Sequence, residues 1–159
     1  MGTRSRIGVM HGDKLKSVYC HWDGYLSNNG KILQAHYDSA KANHLVSLGN
    51  LSSLGTDIGE KHEFDCPYHF KTPEFLAWQE AKNGMCTFYG RDRDETGVDF
   101  TVDQSYAEFL SKDYDYEFYY IMNDGVWYVG VARTDEDTGM VPRKLYVLAE
   151  QLANLTEGA

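Results

Sequence analysis

Between Tyr19 and Tyr25 the chain reads Y-C-H-W-D-G-Y, placing a thiol, an imidazole, an indole, a carboxylate and two phenols within seven residues. His21 and Asp23 stand two apart, so on a strand they share a face. That is the spacing of a general base and its orienting carboxylate. Asp-Gly is equally a turn-former, with Asp23 bonding its own backbone after the strand. No nucleophile or second acid accompanies the pair, so no catalytic residue is assigned.

Arginines and aromatics suggest binding instead. Arg4 and Arg6 lie two apart on one strand, and Arg91 and Arg93 follow Phe88-Tyr89 directly. Paired guanidinium groups hold phosphate or carboxylate bidentately. Trp22, Tyr25, Tyr89 and Trp127 offer flat faces on which a base can stack. With His21 and Asp23 as polar contacts to sugar or base, these ten residues form the candidate ligand-binding set for a small nucleotide-type ligand. The competing expectation is a solvated rim on which the arginines pair with Asp92, Asp94, Glu95 and Asp23.

Other chemistries find less support. His62, Cys66 and His69 have H-x3-C-x2-H spacing, with Asp65 nearby. Nitrogen and thiolate donors suit zinc, but a closed site needs a fourth ligand, so neither metal nor cofactor is assigned. The chain has no G-x-x-x-x-G-K-[ST] phosphate loop, no G-x-G-x-x-G, no H-E-x-x-H and no G-x-S-x-G.

The elements that must position these residues follow from pattern. Residues 4–10 and 14–22 alternate as two strands around His11-Gly12-Asp13, a hairpin. Ser27-Asn28-Asn29 offers a cap for a helix carrying Ile32, Leu33, His36 and Tyr37, and Ser39 a cap for a second helix to Leu48. Residues 51–70 lack period and are expected as loop. Thr72-Pro73 opens a helix that Asn83-Gly84 ends. Residues 85–89 form a strand, 90–97 a charged turn, and 100–102 a short strand, with Asp103 capping a helix to Leu110. Asp124-Gly125 joins residues 116–122 and 126–132 as a hairpin, since tight turns need positive φ. Pro142 starts a last helix with Leu145, Leu148, Leu152 and Leu155 on its core face. Hairpins without βαβ alternation make the expected fold α+β, an antiparallel sheet with helices packed against it. One domain over residues 1–159 is expected, with 51–84 as an inserted segment.

The net charge of −9 weighs against nucleic-acid binding, which rests on Lys and Arg neutralising phosphates. It is uneven, +3 over residues 1–47 and −12 over the rest. The first part suits an anion. The acids Asp113, Asp115, Asp135, Glu136 and Asp137 suit a protein-directed inhibitor that covers a basic enzyme site. No apolar run approaches the ~18 residues of a membrane span, and residues 1–12 lack a signal peptide's apolar region. Three widely spaced cysteines make no disulfide framework. The expectation is a cytoplasmic protein without membrane or nucleic-acid partners.

The blocks T-R-S-R-I-G, Y-C-H-W-D-G-Y, L-G-N-L-S-S-L-G, F-Y-G-R-D-R and N-D-G-V-W-Y-V-G span nearly the whole chain. In these the sequence resembles a family of small accessory proteins of tailed phages and prophages. The resemblance implies action in the host bacterial cytoplasm during infection. By analogy with other phage families, it implies an anti-defence role: sequestering a nucleotide-type immune signal uncleaved. Because tight capture is served by a pocket shared between subunits, which buries more of a small ligand, a homo-oligomer is expected. The alternatives are inhibition of a host defence protein and a small nucleotide hydrolase using His21 and Asp23.

Overall fold

Alternating side chains from Ser5 to Cys20 make the expected hairpin. In the computed structural model, which describes residues 3–64 and 68–157, β1 (Ser5–His11) pairs antiparallel with β2 (Lys14–Cys20) in unbroken register, from Ser5 opposite Cys20 to His11 opposite Lys14. A second hairpin joins β6 (Phe118–Asn123) and β7 (Val126–Val131) through Asp124-Gly125. Both turn residues have positive φ, 51° and 78°, as a tight primed turn demands.

Among the described residues these hairpins anchor one eight-stranded sheet, ordered β4–β3–β2–β1–β6–β7–β8. Its other strands are β3 (Leu51–Ser53), β4 (Thr87–Phe88), β5 (Thr101–Asp103) and β8 (Tyr146–Val147). β1–β6 and β2–β3 are parallel, and the remaining pairs are antiparallel. The outer edge of β2 is shared. Its first half pairs with β5 and its end with β3, and the Tyr19 amide between them donates to Asn50 Oδ1 at 2.9 Å.

Helices lie on both faces, giving an α+β fold. On one face a π-helical turn (Leu26–Gly30) runs into α1 (Lys31–His36), joined by α2 (Ser39–Ser47) and α6 (Leu148–Glu157). Ile7, Val18, Cys20, Tyr120, Val129, Leu33, Leu45 and Leu148 form this main core. On the other face α5 (Tyr106–Ser111) covers Leu15, Tyr119 and Ile121 with Phe109. Tyr119 lies flat over Gly130, where a Cβ would sit 2.1 Å from the ring. α3 (Pro73–Lys82) and α4 (Tyr89–Arg93) complete the set. No helix among the described residues is long and apolar enough to cross a membrane.

Several expected boundaries move, each for a local reason. Asp38, one residue before Ser39, caps α2 by accepting from the Lys41 amide. The first helix begins at Leu26 without a side-chain cap, ahead of Ser27-Asn28-Asn29. Ser105 replaces Asp103 as the cap of α5: its Oγ accepts from the Glu108 amide at 3.0 Å, and Glu108 reaches back past the cap to the Gln104 amide. The charged turn after Tyr89 is helix α4, because Asp92 accepts from the Phe88 amide at 2.8 Å. Leu51–Ser53 is strand where loop was expected. Pro142 starts no helix, since Tyr146 and Val147 pair with Val129 and Tyr128 before α6 begins.

Candidate binding face at the end of the central hairpin

Strand alternation splits Y-C-H-W-D-G-Y between the two sides of the sheet. Cys20 points into the main core, where burial pushes its thiol up to about 12. Tyr19 and His21 lie on the opposite face, bonded to each other at 2.6 Å between Oη and Nδ1. The chain then continues beside β3, with the His21 amide donating to Leu51 O and the Trp22 amide to Ser52 O.

Tyr19 sits in the middle of a relay. Arg4 Nε donates to its hydroxyl at 3.0 Å. Arginine can only donate, so the Tyr19 hydroxyl accepts there, and its own proton is left to hydrogen-bond His21 Nδ1. In that arrangement a neutral His21 carries its proton on Nε2. Arg4 is further held by Asp115 at 3.2 Å, and its amide donates to Glu117 Oε2 at 2.6 Å. The Tyr19 bond, then the Asp115 charge, push the Arg4 pKa up; burial pushes Tyr19 up despite Arg4.

The aromatic side of this face is continuous with the relay. The Trp22 indole stands edge-on to His21, with centroids 4.7 Å apart, and is 43% exposed. Tyr89 is tied to the same residue as Tyr19, its amide donating to Asn50 O at 3.2 Å while the Tyr19 amide donates to Asn50 Oδ1. Arg93 caps the rings of Phe64 and Tyr89 at 4.6 and 5.5 Å and pairs with Glu95 at 2.8 Å. Arg4, His21, Trp22, Tyr89 and Arg93 are therefore gathered at one corner of the sheet, half-buried or exposed.

Asp23 and Tyr25 occupy the turn that follows. Asp23 has φ 56° and its carbonyl accepts from the Asn29 amide at 3.2 Å, so it turns the chain, as Asp-Gly can. His21 Nδ1 is engaged by Tyr19. Tyr25 is 41% exposed beside a shallow cleft with Leu26, Phe118 and Leu155.

Three expected contacts lie elsewhere. Arg6 is only 6% exposed. Its guanidinium bonds Ser17 and Thr101 and lies 3.9 Å above the Tyr114 ring, because its neighbours across the sheet sit under the Tyr114 loop; burial lowers its pKa. Arg91 forks onto buried Asp92 and donates to Ile58 O and Cys86 O at 2.9 Å each. It ties the 51–64 segment to β4. Trp127 is 3% exposed and donates to Tyr37 O. It pairs with Met122, four residues along β6 from Phe118, which neighbours Ser5 and hence the Cys20 end. That is about 13 Å at strand rise. Trp127 instead floors a separate 460 Å³ cleft with Tyr37, Asp38 and Val126.

Of the H-x3-C-x2-H motif, Cys66 and Asp65 lie outside the described residues. His62 Nδ1 donates to Glu60 O and its Nε2 accepts from Thr87. Among the described residues no group of three or more His, Cys, Asp or Glu is placed to hold a metal.

Sequence reasoning missed two supporting residues. Tyr19 was legible as the strand partner of His21, two residues away. Asn29 was not. It is fully buried, and its Nδ2 reaches Ser5 Oγ, Cys20 Sγ and Trp22 O at 3.2 to 3.5 Å. It staples the turn from inside, and no local pattern marks it. Comparison with protein-family models, curated proteins and solved structures finds no match to this chain.

Proposed function

We propose that this chain binds a nucleotide-type anion without cleaving it, on the face carrying Arg4, Tyr19, His21, Trp22, Tyr89 and Arg93. The observation that carries this is the Arg4–Tyr19–His21 relay. It holds the imidazole in one orientation beside an exposed indole and an arginine stacked on two rings. Donors and flat faces at one place suit phosphate and base together.

Binding is favoured over hydrolysis for a specific reason. The Nδ1 atom of His21, which an orienting carboxylate would engage, is instead occupied by a neutral phenol, while Asp23 shapes the turn. The resemblance to phage accessory proteins points the same way, to capture of a host immune signal such as a cyclic nucleotide or an ADP-ribose derivative.

Calorimetric titration with a cyclic dinucleotide and with ADP-ribose tests this. Saturable binding of either, weakened at least tenfold in Arg93→Ala and in Trp22→Ala, supports it. No binding of either, or binding that both variants keep, rejects it.

A further inference from the structure

Arg143 is a non-glycine residue with φ 69° in the loop before β8. Side chains in that region are strained and persist where the surrounding structure holds them there. Its side chain is exposed, and among the described residues no Asp or Glu lies within ion-pair distance of it, in a chain with twenty-four acids. With Pro142 it walls a 310 Å³ cleft whose other lining is Tyr114, Tyr116, Leu110, Val131 and Ala132.

The cleft is built from the aromatic layer behind α5. Tyr116 stacks on Phe109 at 5.9 Å and meets Tyr119 edge-on at 5.2 Å. The Tyr119 hydroxyl is bonded to that of Tyr106. Burial raises the pKa of all three tyrosines, and the Arg143 guanidinium acts against that rise in each. One unneutralised guanidinium therefore overlooks a group of phenols, with a proline and aliphatic side chains beside it.

We infer that this cleft is a second ligand site, distinct from the Arg4–His21–Arg93 face, for a small organic anion: a carboxylate or phosphate carried on an apolar or aromatic body. Arg143 holds the anion as a charge-assisted fork. The Tyr116 hydroxyl donates to it, and Leu110 and Pro142 pack the body. The acid-rich chain leaves this arginine without an internal partner, which keeps it available to an external one.

The test uses the full chain titrated with phenyl phosphate and with benzoate, followed by amide and aromatic NMR shifts. Shifts at Tyr116 and Arg143 that saturate are expected with at least one probe, and the tighter probe identifies the anion. Arg143→Gly suits the backbone at φ 69°, so the fold is kept and its melting temperature does not fall. Affinity should fall tenfold or more in Arg143→Gly and several-fold in Tyr116→Phe. Absence of saturable shifts with both probes at millimolar concentration, or unchanged affinity in folded Arg143→Gly, overturns the inference.

Discussion

The Tyr19 hydroxyl lies 2.6 Å from His21 Nδ1 and accepts from Arg4 on its other side. One phenol thus ties a guanidinium to an imidazole, and where it donates to Nδ1 the imidazole proton sits on Nε2. Tyr19→Phe removes both bonds at once while keeping the ring. Nitrogen NMR of His21 should move from one tautomer toward a mixture, nucleotide affinity should fall about tenfold, and stability should fall by about 1 kcal/mol. An unchanged His21 spectrum contradicts the relay.

Arg91 and Arg93 are two apart and do different work. Arg91 satisfies a buried carboxylate, whereas Arg93 is half-exposed. Removing one partner of a buried pair costs about 3–5 kcal/mol, so Arg91→Ala should lower stability on that scale in urea unfolding. Arg93→Ala should change it by less than about 1 kcal/mol and act on ligand affinity. Equal destabilisation by both variants refutes the division.

Asn29→Ala leaves the Trp22 carbonyl and the Ser5 hydroxyl without their buried donor. The expected loss is about 2–3 kcal/mol, read by chemical denaturation, together with broadened amide signals across residues 21–25. A neutral effect means that the turn is held by its backbone bonds alone.

The buried Cys20 thiol sets a pH dependence. Its pKa in the folded state is about 12, against about 8.5 in an unfolded chain. The folded protein therefore keeps a proton that the unfolded chain releases. The contribution is whole below about pH 8.5 and is lost as pH rises toward 12, by about 1.4 kcal/mol per pH unit. Buried Cys86 is raised too and acts in the same direction. Between pH 8.5 and 9.5, before most tyrosines titrate, Cys20→Ala should flatten the fall of melting temperature with pH. An identical slope in wild type and variant counts against it.

Much of the scaffold was legible because its signals are local. The Asp124-Gly125 hairpin and the Thr72-Pro73 helix start each rest on a few adjacent residues, and both formed as expected. The elements that differ are decided at long range. Leu51–Ser53 is a strand because β2 offers half an edge that β5 leaves unpaired. Tyr146 and Val147 are a strand because β7 offers another. The candidate face divides in the same way. Alternation was enough to separate Cys20 from His21. It could not show that Arg6 is covered by Tyr114, that Arg91 is consumed by Asp92, or that the Trp127 side faces the main core, since each depends on a partner distant in sequence or on the layer that packs above it.

Intact capture is tested most directly by loading the protein with a cyclic dinucleotide or ADP-ribose, removing unbound ligand, denaturing the protein by heat and chromatographing the supernatant. The expected result is recovery of unmodified ligand in proportion to protein from wild type, and little from Arg93→Ala. Recovery of cleaved product that disappears in His21→Ala, or no retained ligand from wild type, contradicts capture without chemistry.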